Sequence, residues 1–176
     1  TANCSGKERG CIFAESVPGN GSVFHLFIPA VKEAPVKNGF SSISEHKGSG
    51  LILVMDDERF IREIFRDIVK IMGYECCEAS DGSDALEIIR KSEESGKEIR
   101  AAFFDLTIPG GMSGKDAVAE VRKQYPALPV FATSGYSEDP VISAPSEYGF
   151  TASIRKPYRF AEIVDLFNMY LPSGKI

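Results

Sequence analysis

The sequence predicts an α/β domain on a five-stranded parallel sheet, preceded by a β-hairpin and a linker. Three observations predict it. From Gly50 onward, short apolar runs alternate with segments of helical periodicity, the pattern of strands joined by crossover helices. The runs are apolar throughout rather than alternating, as in strands covered on both faces. Each run ends in turn chemistry or a polar residue, so the polar groups fall at one edge of the sheet. Ala101-Ala102-Phe103-Phe104-Asp105 is the clearest case: four apolar residues deliver one carboxylate, and Pro109-Gly110-Gly111 then turns the chain.

The elements follow in order. Residues 1–30 hold two strand-like runs, Cys11 to Val17 and Ser22 to Ile28, around Pro18-Gly19-Asn20-Gly21. That is a hairpin. An isolated hairpin is marginal in water, so this one belongs to a larger sheet. Residues 31–49 lack periodicity and are rich in Ser, Gly, Lys and Pro, which reads as a linker. Residues 50–171 form the α/β unit, and 172–176 a tail. Leu51 to Met55 is its first strand and runs into Asp56-Asp57-Glu58. Phe60, Ile61, Ile64, Phe65, Ile68, Val69 and Met72 recur at helical spacing until Gly73. Tyr74 to Ala79 is the second strand, and Asp81 caps a helix reaching about Glu94. Ile99 to Phe104 is the third strand, Gly114 to Tyr125 a helix, and Pro129 to Thr133 the fourth strand, leading to Ser134-Gly135. Pro140 and Pro145 restrict residues 137–149 to one or two short turns. Thr151 to Ile154 is the fifth strand, ending at Arg155-Lys156-Pro157, and Arg159 to Leu171 is the last helix.

Composition narrows the function. A net charge of −5 with no basic patch argues against a nucleic-acid partner. No apolar run approaches the roughly 20 residues that cross a bilayer, so no membrane contact is expected, and no signal peptide is evident. The missing initiator Met marks a fragment of a longer chain. The spacings of Cys4, Cys11, Cys76 and Cys77 match no zinc pattern, and Cys76-Cys77, in a strand-like run, read as reduced, buried thiols of a cytosolic protein. His25 and His46 lie far from the acidic motifs, which argues against a histidine metal site or a Ser-His-Asp triad.

Parallel strands bring Asp56 and Asp57, Asp105, Ser134 and Lys156 to one edge. Crowded carboxylates repel by roughly 4 kcal/mol per pair at ~4 Å and an effective dielectric near 20. They therefore take up protons or bind a cation. Oxygen ligands open to water suit Mg²⁺. A lysine and a hydroxyl beside the metal suit an anion, and together they describe a phosphoryl site with a carboxylate as possible nucleophile.

Val54-Met55-Asp56-Asp57-Glu58, Asp105-Leu106-Thr107-Ile108-Pro109-Gly110, Ser134-Gly135 and Lys156-Pro157 resemble, in order and spacing, the receiver domain of two-component response regulators. The resemblance implies a flavodoxin-like fold with strand order 2-1-3-4-5. It implies Asp105 as phosphoacceptor and Asp57 as direct Mg²⁺ ligand. Asp56 would orient metal-bound water, and Thr107 would lend its backbone carbonyl to the metal. Ser134 and Lys156 would engage the phosphoryl group, and Lys156-Pro157 is a bond this family often holds cis. Residues Glu15 to Ala30 resemble the last hairpin of the ATPase domain of sensor histidine kinases, whose ATP-contacting segments lie upstream. The chain is thus expected to be the C-terminal receiver of a hybrid sensor histidine kinase, cytoplasmic and tethered where that kinase sits in a membrane. It would take a phosphoryl group from a phosphohistidine domain, then hydrolyse it or pass it to a histidine phosphotransfer protein. Its only catalysis would be its own phosphorylation and dephosphorylation. With no DNA-binding segment after Ile176, output is expected through protein contact.

Three rivals stand beside this reading. A Mg²⁺-dependent aspartyl-phosphate phosphatase usually carries a second acid two residues after the nucleophile, where Thr107 stands. An FMN domain would want a phosphate loop where Asp56-Asp57-Glu58 stands. A receiver-like interaction module that is never phosphorylated need not keep all the acids. Two departures from the family pattern carry expectations. Gly111 lengthens the loop after Asp105 and should make it more mobile. Ser153 occupies the position of a rotating aromatic, leaving Tyr136 or Tyr158 as substitutes.

Overall fold

Runs of branched and aromatic residues set the strands, and a computed structural model of the chain describes residues 11–19, 21–28, 48–136 and 138–171. Readings that fall on Cys4, Asn20, His46, the linker over 31–47 and the tail lie outside the described residues. The chain divides near residue 42 into two compact units.

In the first unit, β1 (Cys11–Val17) pairs antiparallel with β2 (Gly21–Phe27), with Ala14 opposite Phe24. One face carries Ile12, Phe24 and Leu26, all more than 60% exposed. On the other, Phe13 stacks on His25 at 4.6 Å and on Phe27 at 5.9 Å. Both faces are apolar, as in a piece of a larger sheet.

The second unit contains β3 (Leu51–Met55), α1 (Arg59–Ile71), β4 (Glu75–Ala79), α2 (Gly82–Glu94) and β5 (Ile99–Asp105). It continues with α3 (Gly114–Gln124), β6 (Val130–Ser134), α4 (Pro140–Ser143), a 3₁₀ turn (Pro145–Tyr148), β7 (Ala152–Arg155) and α5 (Phe160–Tyr170). The five strands pair in parallel in the order β4-β3-β5-β6-β7. Counted from β3, that is the expected 2-1-3-4-5. The Asp81 carboxylate caps α2 by accepting from the N–H groups of Ser83 and Asp84, as the sequence suggested. The two prolines leave α4 four residues long.

Alternation along β5 builds two cores. Ala101 and Phe103 face α1 and α5, and Phe103 meets Phe65 at 4.4 Å, Phe131 at 4.8 Å and Phe167 at 5.9 Å between ring centroids. Ala102 and Phe104 join Val118 and Val121 of α3 and Ala85 and Ile89 of α2. The apolar stripe of α1 is narrower than its sequence suggests. Phe65 and Val69 are buried, whereas Phe60 is 69% exposed and Ile64 37%. Phe60 begins the helix at the sheet's edge, where nothing in this unit covers it. Cys76 and Cys77 are free, half-buried thiols, and burial pushes both up to about 12, which leaves little thiolate at neutral pH.

Arg122 on α3 steadies the strands that deliver the functional groups. Its Nε donates to the Gly149 carbonyl at 2.6 Å, and its Nη1 to the carbonyls of Leu128 at 2.7 Å and Tyr125 at 3.2 Å. The connections entering β6 and β7 are thereby tied to one side chain. Replacing Arg122 with Met keeps the stem but abandons these carbonyls. Urea unfolding should then show a loss of about 2–3 kcal/mol, the range for charged hydrogen bonds whose acceptors are left unmet.

Candidate functional site

Register assembles the site. Met55 pairs with Phe104, so the next residues on each strand, Asp56 and Asp105, stand side by side. Asp105 itself pairs with Thr133, and Ser134 with Arg155. The residue after each of β3 and β7, and the last residue of β5 and β6, therefore meet at the carboxyl edge. Asp56, Asp57 and Asp105 each offer a carboxylate oxygen within 4.8 Å of the others. Among the described residues no other group of three or more acidic, His or Cys ligands converges in this way.

Lys156 bridges two of the acids. Its ammonium donates to Asp56 Oδ2 at 2.6 Å and to Asp105 Oδ2 at 2.5 Å. The other oxygen of each acid takes a backbone N–H two residues on: Glu58 N–H donates to Asp56 Oδ1 at 2.9 Å and Thr107 N–H to Asp105 Oδ1 at 3.2 Å. Asp56 and Asp105 are buried, while Asp57 is exposed. Burial pushes the Asp56 carboxyl above its ordinary range, although Lys156 pulls against it. For Lys156, burial works to lower the pKa, but the hydrogen bonds to Asp105 and Asp56 win and hold it above the usual lysine range. A half-buried ammonium between two buried acids is the arrangement such charges need. The exposed third acid opens the cluster to water. All-oxygen donors with water access fit a hard divalent cation.

The hydroxyl completes the edge. Ser134 is buried, its Oγ accepts from the Tyr136 N–H at 3.0 Å, and its carbonyl accepts from the Lys156 N–H at 2.9 Å. The Lys156-Pro157 bond is cis. The sequence therefore named five side chains that the structure gathers at one edge: Asp56, Asp57, Asp105, Ser134 and Lys156. Thr107 stands on the same loop, its side chain exposed.

In the loop after Asp105, Gly111 lets the chain close against the start of α2. A Cβ on Gly111 would lie 2.8 Å from Asp81 Cβ. The Met112 carbonyl accepts from the Gly82 N–H at 2.9 Å, and Met112 packs against the core. At the loop's far end, a Cβ on Gly114 would clash with the Asp105 carbonyl oxygen. The loop is pinned at both ends, so its extra residue is spent on contact. Ser153 also has a definite role: its Oγ donates to the Ile142 carbonyl at 2.9 Å and ties β7 to α4. Of the two candidate aromatics, Tyr136 is 68% exposed, whereas Tyr158 lies edge-on to Phe65 at 5.4 Å and burial pushes its hydroxyl up to about 12.

Sequence reasoning missed Arg62. Its Nη1 donates to the carbonyls of Asp56 at 2.6 Å and Asp57 at 3.1 Å. A charged residue on a helix reads as solvated. The available signal was Glu78, a carboxylate inside a half-buried strand, which takes Arg62 Nε at 3.4 Å and Arg66 Nη1 at 2.8 Å.

Comparison with known proteins agrees with this geometry. The family model of the response regulator receiver domain matches residues 52–168. Sensor kinase CckA of Brucella abortus is 30% identical over 166 residues, covering 88% of this chain but only 17% of the kinase. Chemotaxis protein CheY of Thermotoga maritima is 30% identical over 118 residues, 66% of this chain and 93% of that protein. Among solved structures, the receiver domain of NtrX from Brucella abortus is 28% identical with a TM-score of 0.62, covering 70% of this chain and 99% of that one. The response regulator TrrA from Thermotoga maritima, solved in complex with Mg²⁺-BeF, is 26% identical with a TM-score of 0.58, covering 69% of this chain and 99% of that one. With the fold, the acidic edge and the family match in agreement, the chain belongs to the response regulator receiver domain family of two-component signalling.

Proposed function

We propose that residues 50–171 accept a phosphoryl group on Asp105 from a phosphohistidine, with Mg²⁺ as cofactor, at the C-terminal end of a hybrid sensor histidine kinase. The observation that carries this reading is Lys156 bridging Asp56 and Asp105 with Asp57 in the same cluster. Asp57 and Asp105 would hold Mg²⁺ directly, together with the Thr107 carbonyl, and Asp56 would orient its water. When bound, the metal neutralises charge on the phosphoryl oxygens. Asp105 Oδ attacks phosphorus as the phosphorus–nitrogen bond to the donor imidazole breaks, and the departing imidazole takes up a proton. Lys156 moves its hydrogen bond from the carboxylate to a phosphoryl oxygen, and Ser134 Oγ donates to another. Water later cleaves the acyl phosphate, or a histidine phosphotransfer protein removes the group.

Two observations support the hybrid-kinase context. The alignment with the Brucella sensor kinase takes in 88% of this chain, more than residues 50–171 alone, and so reaches back before Gly50. The hairpin's two apolar faces also suit a strand pair taken from a larger sheet. This context would place the domain in the cytoplasm.

Incubation with acetyl phosphate and Mg²⁺, read by intact mass, should add one acid-stable, base-labile phosphoryl group per chain. The Asp105→Asn variant should stay unmodified, and phosphate on any other residue defeats the reading. A second prediction uses the charge balance. Asp56 titrates higher in the fold than its ordinary 3.8, so folding binds a proton there. The stability it contributes is fully present below that pH and is lost as pH rises through the higher folded value. Asp56→Asn should therefore melt higher than the parent at pH 7 without metal. Saturating Mg²⁺ at a hundred times its Kd should add about 2.7 kcal/mol to the parent. It should add clearly less to Asp56→Asn and to Asp57→Ala.

A further inference from the structure

We propose that Arg62 is a positioning residue for the acidic edge: anchored on Glu78, its guanidinium grips the carbonyls of Asp56 and Asp57 and so fixes where their carboxylates stand. This inference rests on the metal-dependent phosphoacceptor reading and deepens it.

The backbone leaves a gap that Arg62 fills. At the end of β3 the Asp56 N–H still finds the Ala79 carbonyl at 3.2 Å. Beyond that point the sheet ladder stops, and the carbonyls of Asp56 and Asp57 turn away from it. Arg62 Nη1 supplies both, at 2.6 Å and 3.1 Å. The side chain is only 15% exposed, unlike a solvated surface arginine. Its far side meets Glu78 of β4, which Arg66 also holds. The grip therefore runs from the neighbouring strand through one planar group to the loop that carries both acids. Asp57 gains most. It is the exposed acid, and the Arg62 bond to its carbonyl is what ties its backbone down. A ligand held only by loop backbone needs such outer support to present its carboxylate at a fixed place.

The sign of the effect separates positioning from simple charge. Arg62 is a cation close to a site for a cation. Were electrostatics its only influence, removing it would make the edge more negative and raise metal affinity. Positioning predicts the opposite.

Mn²⁺ binding, followed by electron paramagnetic resonance of the free ion, reads this directly. Arg62→Met keeps the apolar stem and Arg62→Lys keeps the charge without the planar fork. Both should bind Mn²⁺ more weakly, by on the order of ten-fold for Met, while far-UV circular dichroism stays that of the parent. Glu78→Gln should weaken binding alone but add nothing on the Arg62→Met background, because the two act as one unit. Metal-free hydrogen exchange supplies an independent arm: the Glu58 amide, which rests on Asp56 Oδ1, should lose protection in Arg62→Met. Unchanged or tighter Mn²⁺ binding in the variants overturns the inference. If the parent itself neither binds Mn²⁺ nor accepts phosphate, the phosphoacceptor reading fails, and the Glu58 amide alone then decides whether Arg62 holds the loop.

Discussion

Three carboxylates and one ammonium meet at the end of the parallel sheet, and the site depends on that imbalance. Lys156 satisfies one oxygen of Asp56 and one of Asp105, and backbone N–H groups satisfy the others. Asp57 is left exposed to water within 4.8 Å of both. The net negative charge cannot be relieved by burial, since burial only raises the cost of the charged form at Asp56. A cation can relieve it, and oxygen donors open to water suit a hard divalent ion.

Much of this was legible because parallel strands convert sequence into position. A polar residue directly after an apolar run must stand at the carboxyl edge. Asp56, Asp105, Ser134 and Lys156 each follow or end such a run, and register then places Asp56 beside Asp105. Fold class was legible for the same reason. The stripe of α1 was not, because helical spacing records which residues share a face without saying how wide a part of that face the core covers: Phe60, Ile64 and Ile71 share one edge and stay exposed along the helix. Arg62 and Arg122 were invisible for a different reason. Both act on backbone carbonyls, and no residue type in the sequence marks a carbonyl that a fold will leave unpaired.

Gly111 teaches the same lesson in the opposite direction. An extra glycine reads as freedom when only the chain is considered. Here its missing side chain makes room for Asp81, so the loop that carries Thr107 rests on the start of α2. A small residue at a tertiary contact and a small residue in a free loop look identical in sequence, and only the neighbour distinguishes them. Ser153 follows the same rule. Its small side chain gives up aromatic bulk and gains a hydrogen bond to the Ile142 carbonyl.

That bond bears on how the site communicates with the rest of the domain. Ser134 is tied to the start of the lysine segment through its carbonyl and to the approach to α4 through its hydroxyl. The short α4 is in turn fastened to β7 by Ser153 and to α3 by the Lys115–Asp139 pair at 3.2 Å. A hydroxyl that donates to a new partner at the acidic edge gives up the Tyr136 carbonyl, to which it donates at 3.5 Å, while its lone pairs can still accept from the Tyr136 N–H. With four residues, α4 has little internal hydrogen bonding to resist being carried along. What holds α4 is the burial of Val141 and Ile142 in the core together with those two fastenings, one neutral and internal, the other an ion pair with Lys115 well exposed. The second is screened by salt and weak on its own, so this face rests on the buried Val141 and Ile142 and on the Ser153 hydrogen bond.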